Sequence, residues 1–142
     1  MMLAASNQAS VPSMQNLRDA LLEFAHGRYR VCHRSVFYRC STAMDIVTVD
    51  GRILDCNDEY LALVSRDKST VLKSTIWALT HDESKRSLTV TISTALSQKF
   101  ASEIKKIALP DGRALTVRTF VWTVYENEQP KFMCAALTPV GN

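Results

Sequence analysis

Four acidic residues lie close together in the segment VDGRILDCNDEYL, residues 49–61. They are Asp50, Asp55, Asp58 and Glu59, and carboxylates at this spacing can bind a cation or act as a paired acid and base. An EF-hand calcium loop is excluded, because the third and fifth positions counted from Asp50 are arginine and leucine. Acid catalysis is not expected, because Asp-Gly is typical of an exposed hairpin tip, where a carboxyl group does not acquire the raised pKa that catalysis needs. We therefore interpret the four acids as structural.

Motifs for catalysis or metal binding are absent from the rest of the 142-residue sequence. It contains no P-loop, no dinucleotide-binding glycine motif, no nucleophile elbow and no H-E-x-x-H motif. The four cysteines, at positions 32, 40, 56 and 134, form no C-x-x-C pair, so we expect reduced and mostly buried side chains. Neither an enzymatic activity nor a metal site is expected.

The composition is that of a single globular domain, with 46% hydrophobic and 22% charged residues. No apolar run approaches the ~20 residues that span a bilayer, so no membrane segment is expected. The net charge of +3 is small, and direct nucleic-acid binding is not expected. Residues 1–13 lack the basic start of a signal peptide and are predicted to be a disordered tail. An intracellular location, in the nucleus or the cytoplasm, follows as an expectation.

An amphipathic helix is predicted over residues 14–39. Ser13 can cap its first turn. Its apolar stripe at heptad spacing consists of Leu17, Leu21, Phe24 and Val31. The arginines of its second half are interpreted as a solvated face, since cations are favourable near the C-terminal end of a helix dipole.

After this helix the apolar pattern changes to the alternation of β-strands. Strands are predicted at residues 44–50, 52–57, 100–109, 113–126 and 131–140. A short helix is predicted at 58–64 and a longer one at 82–98. Asp-Gly dipeptides mark two hairpins, and the first of them is predicted to be a type I′ turn. This order predicts an α+β fold with one five-stranded antiparallel sheet and helices on one face.

The strand predicted at 113–126 is apolar on both faces. Val117 and Val121 alternate with Phe120 and Trp122. A strand with a solvated back would carry polar residues on one of these faces. A second layer must therefore cover it, and the helix at 14–39, from the same chain or from a partner, is the candidate.

Residues 40–140 resemble a PAS domain, the sensor and interaction module of signalling proteins. The resemblance is carried by MDIVTVDGRILDCNDEYLAL at 44–63, by IWALTHDES at 76–84, which enters the longer helix, and by the final strands at 109–140. It implies a PAS-like five-stranded antiparallel sheet with helices over its inner face. The preceding amphipathic helix resembles the N-terminal flanking helix through which such domains often dimerise. The expected organisation is a tail (1–13), a flanking helix (14–39) and a PAS domain (40–142).

No cofactor is expected for this chain, although members of the family bind flavin or haem. Flavin-binding members carry a reactive cysteine after the first strand pair, whereas residues 71–79 here, VLKSTIWAL, contain none. Haem-binding members usually place a histidine on the long helix, and residues 83–98 contain none. His81, just before that helix, is interpreted as an exposed or capping residue.

Two functional hypotheses remain open. In the first, the chain is a non-catalytic interaction module of an intracellular, transcription-regulatory protein, and it forms a homodimer or binds another PAS-containing protein. Its dimer candidates are Leu17, Leu21, Phe24, Val31, Val117, Val121, Phe132 and Cys134. In the second, a small-molecule ligand occupies the inner cavity and controls a kinase or other output module. The cavity candidates are Tyr60, Ile76, Trp77, Leu88, Ile92, Phe120 and Trp122. Because the sequence carries no kinase or DNA-binding module, it is expected to be a fragment or to act through partners.

Overall fold

The computed structural model describes residues 37–141. The predicted tail, and the predicted helix as far as residue 36, lie outside the described residues. Residues 37–39 are helical. The described strands are β1 (Ala43–Thr48), β2 (Ile53–Cys56), β3 (Phe100–Ala108), β4 (Ala114–Glu126) and β5 (Gln129–Pro139). The described α-helices are α1 (Asp58–Val64), α2 (Lys68–Val71) and α3 (Lys85–Gln98), and a 3-10 turn at Asp82–Ser84 precedes α3.

The five strands form one antiparallel sheet in the order β2-β1-β5-β4-β3. The predicted fold class, an α+β fold with a five-stranded antiparallel sheet, is therefore confirmed. β5 lies at the centre because it pairs both with β4, its hairpin partner, and with β1, the first strand of the chain. This long-range pairing closes the domain and brings residues of β1 opposite residues of β5.

The two Asp-Gly hairpins share one turn geometry. In each, the glycine amide donates to the carbonyl three residues earlier, from Gly51 to Thr48 at 2.9 Å and from Gly112 to Leu109 at 3.0 Å. Each glycine has a φ of 91°, but the aspartate before it does not have a positive φ. The prediction of a type I′ turn at 50–51 is wrong, because that turn needs positive φ at both central residues. The geometry is that of a four-residue turn followed by a glycine bulge.

The helices α1, α2 and α3 cover one face of the sheet, which we call the inner face. From α3, Leu88, Ile92 and Ala95 are buried in the main hydrophobic cluster. The hydroxyl groups of Thr89 and Thr94 donate to carbonyls one turn earlier. Burial of this stripe holds a helix whose β-branched residues form helices poorly by themselves.

The opposite face, which we call the outer face, carries a second apolar cluster. Its buried members are Phe37, Cys40, Met44, Trp122, Val124, Cys134 and Ala136, and Ile46, Phe100, Phe120 and Phe132 pack against them. Outside the sheet, the described residues of this outer cluster are Phe37 and Cys40. The sheet is thus apolar on both faces, as the sequence of β4 predicts.

Asn57 joins the start of the domain to both layers. Its side-chain oxygen accepts from the amides of Met44 and Tyr60, both at 3.0 Å, and so caps α1. Its amide group donates to the carbonyls of Phe37 at 2.8 Å and Thr42 at 2.9 Å. Since Asn57 is 1% exposed, one side chain holds the 37–42 segment, β1 and α1 together without help from water.

Candidate functional site

A cluster of buried polar side chains lies on the inner face. Asp45 on β1 is 3% exposed, Lys105 on β3 is 6% exposed, and Thr119 on β4 is 1% exposed. All three line one small cavity together with the apolar side chains Val47, Ile76, Leu88, Ile92, Val121, Ala135 and Leu137. The cavity volume is about 10 Å³, which is the space of about one water molecule. The packed core therefore encloses a water-sized polar gap.

The strand register explains why these side chains meet. Asp45 pairs with Ala135 on β5, and Ala135 pairs with Val121 on β4. Thr119, two residues before Val121, pairs with Glu103 on β3, and Lys105 is two residues further along. Because side chains alternate between faces, these residues share the inner face. Ala135, between the strands that carry the two charges, is too small to fill the space between them.

Burial dominates the electrostatics of the cluster. It raises the pKa of Asp45 to about 6, against the opposing attraction of Lys105 and a hydrogen bond with Tyr60. It lowers the pKa of Lys105, although the charges of Asp45 and Glu103 oppose this shift. Burial beside Asp45 also holds the pKa of Tyr60 well above its usual value. The charged forms of Asp45 and Lys105 are thus penalised by the loss of water and partly stabilised by each other's charge.

Of the predicted cavity residues, Ile76, Leu88 and Ile92 line the small cavity. Tyr60 is buried in the inner cluster but does not line the cavity. Trp77 is partly buried against the inner cluster. The indole of Trp77 donates to Thr89 at 3.2 Å. A Cβ on Gly51 would lie 1.9 Å from the ring of Trp77, so this ring closes the first hairpin over the edge of the core.

The predicted faces of β4 are wrong. Phe120 and Trp122, predicted to line the cavity, belong to the outer cluster. Val117 and Val121, predicted to face outward, are buried in the inner cluster. Alternation shows which residues share a face, but both faces of this strand are apolar, so the sequence holds no signal for which one the helices cover.

The polar lining residues were missed by sequence reasoning. Asp45 alternates in phase with Val47, which is buried, and a charged residue in phase with an apolar face is a usable signal. Lys105 likewise alternates in phase with Ala101 and Ile107. Thr119 lies in phase with Val117 and Val121 of β4, which are buried. Only the fold shows that these three residues from separate strands meet.

The remaining dimer candidates divide between the outer face and the undescribed segment. Phe132 and Cys134 lie in the outer cluster. Leu17, Leu21, Phe24 and Val31 lie outside the described residues. On the outer face, Phe100 of the edge strand β3 packs near Phe120 and Trp122, with ring centroids 6.0 Å and 5.9 Å apart. The indole nitrogen of Trp122 is buried and has no hydrogen-bond partner.

The four acids of residues 49–61 take separate structural roles. Asp50 accepts from the hydroxyl of Thr48 within the hairpin turn. Asp55 accepts from the hydroxyl of Tyr38 and lies 3.2 Å from the ammonium of Lys68. Asp58 and Glu59 lie in the first turn of α1, where the helix dipole stabilises negative charge. Within residues 37–141, no group of three or more potential metal-ligating side chains occurs.

His81 and the cysteines also take structural positions. The side chain of His81 accepts from the amide of Glu83 at 3.3 Å and caps the 3-10 turn before α3. Cys40, Cys56 and Cys134 are free and buried. Burial raises the pKa of the Cys56 thiol to about 11 and also raises the pKa of Cys40 and Cys134. These three thiols therefore stay protonated and unreactive near neutral pH.

Among the described helices, none has the length and apolar character of a membrane span.

Solved structures with the same fold were found, although no family model and no curated protein matches the sequence. A PAS domain from Colwellia psychrerythraea superposes with a TM-score of 0.71 at 17% identity, over 77% of this chain and 94% of that one. The fold is that of a PAS domain. This confirms, at the level of fold, the resemblance seen in the sequence.

Two other solved structures with this fold are a domain of a sensor histidine kinase and a PAS-B domain. A domain of the sensory box sensor histidine kinase/response regulator from Geobacter sulfurreducens matches with a TM-score of 0.65 at 15% identity, over 78% of this chain and 95% of that one. The Drosophila melanogaster Cycle PAS-B domain with bound ethylene glycol matches with a TM-score of 0.64 at 8% identity, over 69% of this chain and 99% of that one. At these identities this chain shares their architecture, and its function depends on its own side chains.

Proposed function

We propose that this PAS domain is a non-catalytic signalling module that forms a homodimer through the outer face of its sheet. The observation that carries the proposal is the outer cluster itself. It is apolar, it spans β1, β4 and β5, and it contains a buried indole N–H with no partner.

The proposed occupant of the outer face is the segment 14–36 of the second copy. Phe37 and Cys40 pack on this face, and the segment 14–36 is joined to Phe37 in sequence. The predicted stripe of Leu17, Leu21, Phe24 and Val31 would give this segment an apolar side to lay against the sheet. Dimers of amphipathic segments on apolar faces are driven by the burial of such stripes.

The surface is tested by charge substitutions in the full-length chain. Phe132→Glu on the outer face and Leu21→Glu in the segment should each convert the dimer to a monomer, measured by light scattering after size exclusion. Val90→Glu is the matched control, because Val90 is 61% exposed on α3, and it should leave the mass unchanged. A Phe132→Glu protein that is folded by circular dichroism and remains a dimer would contradict the outer face as the interface.

The proposal also covers the cellular setting in which the dimer acts. We propose an intracellular, transcription-regulatory or kinase-linked setting, in which the dimer transmits a state to an output module or partner. The Geobacter neighbour, a domain of a sensor histidine kinase, supports the signalling part of this proposal. No catalytic role is proposed for the domain.

Ligand sensing in the inner cavity is a second candidate function. It is favoured by the buried cluster of Asp45, Lys105 and Thr119, because a core that serves packing alone would be more stable with apolar residues at these positions. The Cycle PAS-B domain, described with bound ethylene glycol, has the same fold and supports this candidate.

A further inference from the structure

The buried ammonium group of Lys105 has two acidic neighbours. Lys105 is 6% exposed, and Asp45 and Glu103 both act on it through their charges. Glu103 lies two residues before Lys105 on the same face of β3, whereas Asp45 lies on β1, with β5 and β4 between them. Within residues 37–141, neither acid forms a hydrogen bond or an ion pair with Lys105. The ammonium group therefore has two counter-charges and is bound to neither.

Each of the two acids has a buried oxygen that can accept from this ammonium group. Among the described residues, Asp45 Oδ1 and Glu103 Oε2 are buried and lack a hydrogen-bond partner. The other oxygen of Glu103, Oε1, accepts from the hydroxyl of Ser87 on α3 at 3.1 Å. Buried acceptors without partners are rare in native proteins. Two of them beside one buried cation indicate two alternative positions for that cation.

The inner cavity gives the ammonium group room to move. Asp45, Lys105 and Thr119 line it, and its volume of about 10 Å³ is the space of about one water molecule. An ammonium group has about the same size as a water molecule, so it can shift within this space while the apolar core stays packed. Thr119 pairs with Glu103 in the strand register, so this space also adjoins the second acid.

The groups that face Asp45 determine which of them responds when its charge changes. Tyr60 from α1 forms a hydrogen bond with Asp45, and Lys105 from β3 attracts its negative charge. Cys56 from β2 and Cys134 from β5 also lie within reach of this charge, but burial keeps both thiols neutral. From α3, the cavity lining consists of the apolar Leu88 and Ile92. The cation that responds to Asp45 is therefore Lys105.

We propose that Lys105 is a proton-operated switch in the core: it binds Asp45 when Asp45 is ionised, and it moves to Glu103 when Asp45 takes up a proton. In this step one proton from solvent forms an O–H bond on the Asp45 carboxylate, and Lys105 keeps its own protons. The pair of Asp45 and Lys105 then changes from neutral to positive, and Glu103 supplies the compensating negative charge. The protonated carboxyl group can donate to the hydroxyl of Thr119.

The two positions of Lys105 connect different elements. A bond to Asp45 links the edge strand β3 to β1 across the sheet. A bond to Glu103 stays on β3, and Glu103 is already hydrogen-bonded to Ser87 on α3. The amide of the next residue, Lys106, donates to the hydroxyl of Ser84 just before α3, at 3.0 Å. Proton uptake therefore replaces a link between strands by a link on the side of α3.

Nuclear magnetic resonance of the labelled full-length protein tests the switch without any substitution. The carboxyl carbon shift of Asp45 is followed from about pH 4 to about pH 8, which brackets the midpoint expected for a buried aspartate. At each pH, nuclear Overhauser effects are measured from the Lys105 Hε protons to Asp45 Hβ and to Glu103 Hγ. As the pH falls, the effect to Asp45 should be lost and the effect to Glu103 should grow, both with the midpoint of the Asp45 titration. Effects that stay constant through this titration would overturn the switch.

Removal of the cation tests its contact with ionised Asp45. Lys105→Met keeps a long side chain without the charge, and it should raise the midpoint of the Asp45 titration by about one pH unit or more, because a neighbouring cation favours the carboxylate. Lys131→Met is the matched control, since Lys131 pairs with the exposed Glu126 at 3.1 Å and should leave the midpoint unchanged. An unchanged midpoint in Lys105→Met would overturn the position at Asp45.

Removal of the second acid tests the position at Glu103. Glu103→Gln keeps the size of the side chain but removes its charge, so the contact of Lys105 with position 103 at low pH should be lost. Its contact with Asp45 at high pH should remain. Persistence of the low-pH contact in this variant would show that the charge of Glu103 does not attract Lys105, and would overturn the second position. None of these measurements depends on the homodimer or on a bound ligand, so failure of either proposed function leaves their outcome unchanged.

Discussion

Asp45 is the residue at which the stability and the function of the domain meet. It is one of the charged residues in the core, and its carboxyl group is paired with Tyr60 on one side but open to the cavity on the other. A polar group kept in a core at the expense of stability is expected where it serves recognition. Its titration should therefore be visible in the stability of the whole protein.

Stability should fall as the pH rises from about 4 to about 6. Burial raises the pKa of Asp45 in the folded state from 3.8 to about 6, so the folded protein binds the proton more tightly than the unfolded chain. The resulting stabilisation is complete below the unfolded pKa and is lost as the pH passes the folded pKa, by up to about 3 kcal/mol. The groups that face Asp45 are Lys105 from β3 and Tyr60 from α1.

Urea unfolding of the wild type and of Asp45→Asn across pH 4 to 7 measures this linkage. The free energy of unfolding of the wild type, taken relative to the variant, should decrease with rising pH. The titration of Lys105 does not reverse this decrease with pH. In Asp45→Asn the opposing charge of Asp45 is gone, so the pKa of Lys105 is lowered further. Parallel profiles for the two proteins would show that Asp45 titrates normally.

Asn57 is the residue whose side chain connects the 37–42 segment, β1 and α1. Asn57→Ala removes five side-chain hydrogen bonds, one of them to the Cys40 sulfur, and takes the Asn57 partner away from the amide of Met44 and the carbonyls of Phe37 and Thr42. We expect the free energy of unfolding to fall by about 3 kcal/mol. Asp58→Ala, exposed in the first turn of the same helix, should cost less than about 1 kcal/mol. Similar small losses in both variants would argue against Asn57 as the joint.

At the scale of elements, the hairpin between β4 and β5 carries the strain that the Asp-Gly hairpins avoid. Asn127 and Glu128 have φ values of 53° and 66°, so this two-residue turn has positive φ at both central positions. Asparagine tolerates that conformation, but glutamate does so poorly. The type I′ turn predicted for residues 50–51 is thus the geometry of a different hairpin.

Glu128→Gly should stabilise the protein by about 0.5–1 kcal/mol, because glycine adopts the required positive φ without strain and Asn-Gly is the preferred pair for this turn. Thermal unfolding checks it. The control is Glu126→Gly, in the adjoining strand, where the same replacement should destabilise by a similar amount. A lower melting temperature for Glu128→Gly would contradict the strain assigned to this turn.

The elements themselves could be predicted from the sequence, whereas their faces and partners could not. The alternation of β4 and the turn residues Gly51 and Gly112 give the strands to within a few positions. The pairing of β1 with β5 joins residues some 90 positions apart, as Asp45 with Ala135, and no local pattern encodes it. The sequence places Asp45 in a strand but does not show that Lys105, from β3, lines the same cavity.

At the scale of the whole molecule, adjacent residues of the same strands contribute to the inner cavity and to the outer cluster. On β1, Met44 belongs to the outer cluster and Asp45 to the cavity, and on β5 the same holds for Cys134 and Ala135. A change in the cavity that shifts β1 or β5 must therefore displace side chains of the outer cluster. The two proposed functions would then be coupled through the central strands of the sheet.

The most direct test of the central claim is the native mass of the full-length protein. Native mass spectrometry over a range of concentrations should show a species of two chains, each of 15.9 kDa, that persists on dilution. A single-chain mass at every concentration would contradict the proposed homodimer and leave the outer face to its own chain or to another protein.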